Sequence, residues 1–381
     1  MVARRDFIRI MGGGVLAAPL LAQAACAPSA GLPDPVAAWN QPGAGQDDDR
    51  LFALAHGILA PNPHNRQPWL IELQGADQAV LHVDRERLLP VTDPFDRQIV
   101  IGCGAFVELT CLAATLRGRS VTVEPFPDGG GVPRLDDRPV ARFTFGKGGA
   151  TDPLAARILT RRSNKAAYDP ARPLDTAAAR RMLAEGAAPG FRSGVVADGR
   201  LSALRDLVSG AYVTEIVTPA AFEESIELMR IGREEIARHR DGIDIGGPMV
   251  EAMAAVGLMS RDQIRKPGTM AHEQGKSMYR GLADSSPAFV WLISEGNDRA
   301  TQLNAGRAWA RMNLAADAGG VAVHPVSQGL QEYAEVAEFK RRVDALVGVR
   351  PGERLQMLAR AGYGKVVPPA PRRGLEEHLV S

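Results

Sequence analysis

A long apolar run near residue 100 limits the folds open to this chain. From 99 to 116 the sequence carries one charged residue, Glu108. The run is too long for a typical strand, so it predicts a buried helix. Helices and strands are predicted around it without strict alternation, which indicates an α+β fold. The predicted strands span 69–73, 79–83, 121–124, 141–145, 288–294 and 320–325, and the other helices span 49–59, 176–185, 201–215, 222–239, 304–318 and 336–346.

The charge balance argues against a nucleic-acid partner. Among 381 residues there are 45 Lys or Arg and 44 Asp or Glu, giving a formal net charge of +1. Binding to nucleic acid needs clustered positive charge, and base stacking needs aromatic side chains, which make up 5% of the chain. The length suits two domains or one large one.

The chain begins with a basic segment, Arg4-Arg5-Asp-Phe-Ile-Arg9, followed by an apolar stretch broken by glycine and proline. This stretch is too short for a membrane span. It predicts a secretory leader over 1–25, and the paired arginines indicate a twin-arginine signal. We therefore predict a periplasmic protein that uses the twin-arginine export machinery. An ordinary secretory leader and lipid anchoring at Cys26 are the alternatives.

Cysteine and histidine usage predicts neither a disulfide nor a metal site. Cys103 and Cys111 would lie about 12 Å apart on the predicted helix, beyond the reach of a disulfide. The seven histidines lack metal-ligand spacing. Walker, Gly-x-Ser-x-Gly and His-Glu-x-x-His motifs are absent from the sequence.

One segment imitates a dinucleotide-binding fingerprint. Gly102-Cys-Gly104 precedes a helix and a strand that ends at Glu124, where a ribose-binding carboxylate would belong. Val107, however, takes the third glycine position, and the supposed first strand is short. A NAD-binding Rossmann protein is therefore an alternative, which predicts dinucleotide binding without yellow colour.

Three polar segments carry the candidate chemistry. A proline-rich loop over 61–69 presents Asn65 and Gln67, whose amides suit a heteroaromatic ring edge or a sugar-like chain, or else their own backbone in a structural turn. Arg161-Arg162-Ser163-Asn164-Lys165 is a compact anion site suited to phosphate, or a solvated basic turn. Arg372-Arg373 lies near the C-terminus, where position alone favours a tail without a partner.

Together these segments resemble a known family. The sequence His-Asn-Arg-Gln-Pro-Trp at 64–69 resembles the Asn-x-Gln-Pro-Trp segment of FMN-dependent nitroreductases. The segment 161–165 resembles the family's basic opening, and 325–329 its Pro-x-Glu-Gly loop, with Gln328 in place of glutamate. The segments 93–97 and 103–106 are similar to the Acg-like fused branch of the family.

The order of the motifs departs from the family. The amide loop stands in the first half, and the basic opening follows it in the second, whereas ordinary nitroreductases have the reverse order within one subunit. The resemblance therefore implies two nitroreductase-like halves, 49–150 and 151–381, fused as a pseudo-dimer after a linker over 26–48. One complete flavin site per chain is expected, and the chain itself is a monomer or a homodimer.

The resemblance also implies a cofactor and roles for residues. FMN would carry the redox chemistry, so no side chain is assigned a catalytic role. The residues implied in cofactor binding are Arg161, Arg162, Ser163, Lys165, Arg372 and Arg373 at the phosphate, Asn65 and Gln67 at the ribityl chain or ring, and Gln328 and Gly329 near the reactive flavin nitrogen.

The partners implied are small molecules. A nitroaromatic, a quinone or a similar unsaturated molecule would accept electrons. The reductant is unidentified, because NAD(P)H is a cytoplasmic compound. The methionine-rich segment 215–280 would form a lid, or a helical pair that completes the core. If that lid closed the active face, the chain would be a flavin-sequestering protein without turnover.

Overall fold

The computed structural model describes residues 31–380, so the predicted leader over 1–25 lies outside the described residues. Helices and strands are mixed, which confirms that part of the α+β prediction. A single large hydrophobic core takes residues from two sheets and from two long helices. The first elements in chain order are α1 (Asp49–Gly57), β1 (Trp69–Gln74), β2 (Gln78–Val83), α2 (Arg97–Thr115), β3 (Arg119–Pro125) and β4 (Ala141–Lys147).

The first sheet combines the first half of the chain with its C-terminal tail. Its strand order is β11-β1-β2-β4-β3. β1 and β2 form the predicted hairpin, in which Trp69 lies opposite Val83. The short strand β11 (Leu379–Val380) pairs in parallel with β1 at one edge. The tail therefore returns to the first half and passes the amide loop on its way.

The second sheet has the same topology. Its strands are β5 (Phe191–Val196), β8 (Ala288–Glu295), β9 (Ala322–Pro325) and β10 (Glu353–Gly362). They have the order β5-β8-β10-β9, and every neighbouring pair is antiparallel, as in β1-β2-β4-β3 of the first sheet. In both halves a long helix connects the second strand to the third. The other elements are α3 (Thr176–Glu185), α10 (Arg299–Ala318) and α11 (Ala337–Val347).

The two long helices, α2 and α10, cross at a pair of glycines. An added Cβ at Gly104 would lie 1.9 Å from the Leu303 carbonyl oxygen, and one at Gly306 would lie 2.0 Å from that of Ile101. Only glycine lets two backbones approach so closely. Although α2 is long and apolar enough to cross a membrane, most of it is buried in this core.

This crossing overturns the dinucleotide-binding alternative. A Rossmann fingerprint needs its first glycines in a turn between a strand and a helix. Gly102 and Gly104 instead lie inside α2, where Gly104 packs against the other helix. The Rossmann interpretation is therefore wrong.

Each long helix begins with an arginine that reaches the opposite half. Arg97 donates to the carbonyl oxygen of Leu330 (2.9 Å), in the loop after β9. Arg299 donates to those of Gly131 and Pro133 (3.0 Å each), in the loop after β3. Arg97 and Arg299 occupy the same position in their helices, so equivalent contacts tie the halves in both directions.

An insertion between β5 and β8 differs most from the prediction. The helix predicted over 222–239 is interrupted, because the backbone turns at Gly232 (φ +81°) and residues 229–231 pair in parallel with 243–245. The inserted elements are α4 (Leu201–Val217), α5 (Pro219–Glu227), β6 (Met229–Ile231), α6 (Gly232–His239), β7 (Ile243–Ile245), α7 (Pro248–Ala255), α8 (Arg261–Arg265) and α9 (Met270–Asp284).

Residues 31–48, the described part of the predicted linker, dock on the body, and we call them the N-terminal strap. The Trp39 side chain is 7% exposed, and its indole nitrogen donates to the carbonyl oxygen of Ala370 (2.8 Å). The backbone nitrogen of Arg372 donates to the carbonyl oxygen of Pro35 (2.9 Å). The strap is held because its Trp39 ring is buried and because it forms hydrogen bonds with the tail.

Candidate functional site

The amide loop before β1 has a strained backbone. φ is +48° at His64, +51° at Asn65 and +48° at Gln67, a region that side chains rarely adopt. The side chain of Asn62 holds the loop by accepting a hydrogen bond from the backbone nitrogen of Gln67 (2.8 Å). Strain of this kind persists where surrounding contacts impose it, and it concentrates at functional sites.

Two of the predicted phosphate-binding arginines meet at one carbonyl group beside this loop. Arg161 donates to the Leu59 carbonyl oxygen (3.1 Å), and Arg372 donates to the same oxygen (3.4 Å) and to that of Ala60 (3.0 Å). Arg372 also donates to Oδ1 of Asn65. The structure thus brings together the basic segment, the tail and the amide loop, which are distant in sequence.

These cations have no acidic partner. Within residues 31–380, no carboxylate lies within ion-pair distance of Arg161, Arg162 or Arg372; their hydrogen bonds go to backbone carbonyls and to Asn65. Nε and Nη1 of Arg161 and Nε of Arg372 are buried without a hydrogen-bond partner. Leaving a buried charge unpaired is costly, so an anion would complete this arrangement.

Burial and neighbouring cations lower the pKa of both guanidiniums, Arg161 and Arg372. Burial lowers the pKa of Arg161 to about 10, and the charge of Arg162 adds to the effect. Burial lowers the pKa of Arg372 to about 9, and Arg161 is the second cause. Both groups remain charged at neutral pH, but at a free-energy cost that a bound anion would offset.

The rest of the basic segment connects the arginines to the second sheet. Arg162 lies over the indole ring of Trp39, 4.8 Å from its centroid. Ser163 pairs in parallel with Val323, a residue of β9. Lys165 is half-exposed and donates to Asp244 (3.3 Å).

Lys165 also places the two predicted loops relative to each other. Burial lowers the pKa of His64 to about 4 and that of His324 well below its usual value, and the Lys165 charge contributes to both shifts. His64 of the amide loop and His324 of β9 therefore both lie close enough to this lysine for its charge to act on them.

Arg373 and Gln67 differ from their predicted roles. Arg373 donates from its guanidinium to the Gln67 carbonyl oxygen (2.8 Å) and to His378 (3.1 Å), and its backbone nitrogen donates to Oε1 of Gln67 (2.9 Å). The Gln67 amide nitrogen donates to the Arg240 carbonyl oxygen (2.8 Å). Both side chains therefore hold the tail and the insertion onto the loop. The two consecutive arginines face different sides, and Arg372 is the one that joins Arg161.

The loop after β9 carries Gln328 and Gly329, the remaining predicted site residues. Gln328 lines a cavity with His324, Tyr212, Tyr279 and Arg360. The two tyrosine rings stack with centroids 3.2 Å apart, joining α4 to α9. An added Cβ at Gly329 would meet Val343 at 3.5 Å, an ordinary contact. The protein's own packing therefore does not require glycine at 329.

Glu215 is a buried carboxyl group that the sequence analysis missed. It accepts hydrogen bonds from Ser225 (3.1 Å) and Gln331 (2.9 Å), and from Gln328. Burial raises its pKa, against the effect of these hydrogen bonds. Ser225 also contacts Nε2 of His64 (3.4 Å). The sequence signal for it is an acidic residue, Glu215, with apolar neighbours near the end of a predicted helix, which indicates a buried carboxyl group.

The insertion contacts every motif of the site. Gly242 donates to the Asn65 carbonyl oxygen (3.2 Å), Asp244 pairs with Lys165, and Arg240 pairs with Glu377 in the tail (3.0 Å). Three of its six methionines, at 249, 270 and 278, are among the most exposed apolar side chains of residues 31–380. Backbone and charged groups, rather than the methionines, therefore make these contacts.

Metal and thiol chemistry find no support in the described residues. Over 31–380 no group of three His, Cys, Asp or Glu side chains is placed to hold a metal ion. Cys103 and Cys111 are unpaired, and burial raises the pKa of each thiol to about 12.

Comparison with curated proteins connects the chain to a class of enzymes. No family model matches it. It is similar to "Putative NAD(P)H nitroreductase Rv3131" of Mycobacterium tuberculosis, with 28% identity over 332 residues that cover 85% of this chain and 89% of that protein. "Putative NAD(P)H nitroreductase acg" of the same species is 34% identical over 76 residues, 20% of this chain and 23% of that protein. The chain is thus similar to proteins that are named as putative nitroreductases.

Among solved structures, the chain is similar to FMN-dependent nitroreductase NfnB from Mycobacterium smegmatis in complex with NADPH. The identity is 21%, the match covers 59% of this chain and 96% of that one, and the TM-score is 0.37. A nitroreductase with bound FMN from Bacteroides fragilis matches with 17% identity, 57% and 93% coverage, and a TM-score of 0.35.

Proposed function

We propose that the chain is an FMN-binding oxidoreductase of the nitroreductase type. The observation that carries the proposal is the group of buried guanidiniums without a carboxylate, Arg161 and Arg372, beside the strained amide loop. A terminal phosphate is a tetrahedral anion with three acceptor oxygens, and the planar guanidinium fork binds two of them well. The names of the curated relatives point to the same class of enzyme.

The residues present fit the phosphate of FMN. The unpartnered Nε and Nη1 of Arg161 and Nε of Arg372 are donors that a phosphate oxygen would satisfy. Arg162 adds charge beside Arg372, because both contact the Trp39 ring, and Asn65 accepts a hydrogen bond from Arg372. Lys165 follows on the same segment and pairs with Asp244. Gln328, which donates to the Glu215 carboxyl group, is the residue that we assign to the ring system.

When bound, the flavin supplies the redox chemistry, and the protein binds and orients it. The strained loop fixes Asn65, and the Glu215 carboxyl group fixes Gln328 from the inserted helix α4. The insertion covers these groups, so we assign it the role of a lid. An unsaturated small molecule, such as a nitroaromatic or a quinone, is the acceptor class. A nicotinamide reductant is the first donor to test, because the curated relatives are named for it.

We further propose that the chain is a fused pseudo-dimer of two nitroreductase-like halves. The two sheets have the same strand order, and each long helix begins with an arginine that binds the opposite half. Gly104 and Gly306 meet at the crossing of the two helices, as equivalent residues at a two-fold axis would. The anion site draws Asn65 from one half and Arg161 from the other, which supports one flavin site per chain.

The absorbance spectrum of the purified protein tests the proposed function. We expect yellow protein with about one FMN per chain, released by heat denaturation and identified by chromatography. Anaerobic reduction with dithionite, followed by a nitroaromatic or a quinone, should reoxidise the flavin. Reoxidation by neither acceptor would favour a flavin-sequestering protein, and failure to bind FMN under any loading condition would overturn the proposal.

Export to the periplasm is a separate proposal, which rests on the leader sequence. Changing Arg4→Lys together with Arg5→Lys should leave the precursor in the cytoplasm, because the twin-arginine machinery reads the arginine pair. Cell fractionation and immunoblotting measure the distribution. Arg9→Lys serves as the matched control and should be exported. Normal export of the double variant would contradict a twin-arginine signal.

A further inference from the structure

The N-terminal strap lies against the same guanidiniums that form the proposed phosphate site. The guanidinium of Arg162 is 4.8 Å from the centroid of the Trp39 ring, and that of Arg372 is 5.6 Å from it. A cation that contacts an aromatic face is stabilised, most strongly by tryptophan and where water is excluded. Trp39 therefore links two cations that come from opposite ends of the second half.

Two hydrogen bonds fix the strap to the tail that carries Arg372. The Trp39 indole nitrogen donates to the Ala370 carbonyl oxygen (2.8 Å), and the Arg372 backbone nitrogen donates to that of Pro35 (2.9 Å). The strap and the tail are therefore tied to each other, and removing the ring should loosen the position of the Arg372 guanidinium.

Burial shows what this contact does to the site. Arg161 is 2% exposed, Arg372 is 4% exposed and Trp39 is 7% exposed. A group bound to the two arginines would therefore lie away from bulk water and next to the buried Trp39 ring. A cofactor that continued beyond its first phosphate would have to displace the strap, whereas one that ends there would not.

We propose that residues 35–39 of the strap close the phosphate end of the flavin site and make it selective for a flavin that ends in a monophosphate. The inference rests on the proposed function and adds a determinant from outside both predicted halves. Trp39 acts as a positioning residue, because it holds the Arg162 and Arg372 guanidiniums against an uncharged surface that does not compete with phosphate.

Flavin titration of the full-length, flavin-free protein tests the inference. Trp39→Ala should raise the Kd for FMN about tenfold, the size of effect that a cation–π contact at a desolvated site supports. The Kd for riboflavin, which has no phosphate, should stay within about twofold. The preference for FMN over FAD should fall by about the same tenfold factor. Trp39→Phe keeps an aromatic face and should recover most of the FMN affinity.

Trp291→Ala is the matched control. Trp291 also contacts an arginine, with Arg192 5.2 Å from its ring centroid, but it lies on β8 of the second sheet. Its removal should leave the FMN-to-riboflavin ratio unchanged.

Unchanged riboflavin binding shows that Trp39→Ala folds. If wild-type protein binds FMN while Trp39→Ala keeps its FMN affinity and its preference over FAD, the inference is overturned and the proposed function stands. If wild-type protein binds no flavin, both fail.

Discussion

Replacing Arg161 and Arg372 together by glutamine should abolish tight FMN binding and should also stabilise the flavin-free protein. Each guanidinium would lose charge-assisted hydrogen bonds to phosphate, worth about 1.5–3 kcal/mol, so the Kd for FMN should rise about a thousandfold for the pair. Riboflavin lacks the phosphate and should bind the double variant as it binds the wild type. Fluorescence titration with both flavins measures this difference.

The stabilisation follows from the unpaired charges. Both guanidiniums are buried without a carboxylate, and burial holds their pKa values at about 10 and about 9. Removing two such charges should increase the free energy of unfolding by about 1 kcal/mol or more and raise Tm by about 2–4 °C in the absence of flavin. With saturating FMN the order should reverse, because only the wild type gains stability from the ligand.

Arg373→Gln is the control for this pair. Arg373 is adjacent in sequence and also buried, but its guanidinium donates to Gln67 and His378. Because these contacts hold the tail on the amide loop and do not join Arg161, the variant should keep the wild-type FMN-to-riboflavin ratio. A double variant at 161 and 372 that retains wild-type FMN affinity would refute the phosphate assignment.

Changing Gly104→Ala should strongly destabilise the protein. The added Cβ would lie 1.9 Å from the Leu303 carbonyl oxygen, and backbone cannot move aside as a side chain can. The helices α2 and α10 must separate, which should lower the free energy of unfolding by about 3 kcal/mol or more and lower Tm by about 6–12 °C. Thermal denaturation followed by circular dichroism measures the change.

Gly306→Ala tests the same crossing from the other helix. Its Cβ would lie 2.0 Å from the Ile101 carbonyl oxygen, so a similar loss is expected. One separation of the helices relieves both clashes, so the double variant should lose less stability than the sum of the single ones.

Gly281→Ala is the control, because nothing lies within 4 Å of its added Cβ on α9. Helix propensity should make it neutral or slightly stabilising. Equal effects at 104 and 281 would contradict the close crossing.

Sequence periodicity located most helices and strands but missed a central strand. Strand β10 (Glu353–Gly362) contains no β-branched residue and consists mainly of good helix formers. It lies between β8 and β9, where Leu355, Leu358 and Ala359 are buried. Pairing on both edges outweighs local propensity at such a position. Residues 229–231 are a second exception: the pattern predicts helix, but they pair with β7 in a two-stranded sheet.

The candidate site could be predicted as a set of segments but not as a geometry. The amide loop, the basic segment and the tail were each identified from composition and order, because amides and guanidiniums have a fixed chemistry wherever they lie. The side that each residue faces depends on distant partners. Arg372 turns to Leu59 and Arg373 to Gln67, and Trp39 lies on two arginines although it belongs to a predicted linker.

What the sequence determines and what only the tertiary structure decides differ for a physical reason. Alternating apolar patterns, turn residues and the uncharged run at 99–116 act over a few residues, so the sequence by itself determined the β1–β2 hairpin, helix α2 and the identity of the polar segments. Only the tertiary structure decided which cations share a site, how closely α2 approaches α10 and where the strap docks. Those outcomes depend on burial and backbone contact between residues hundreds of positions apart, and no local pattern encodes them.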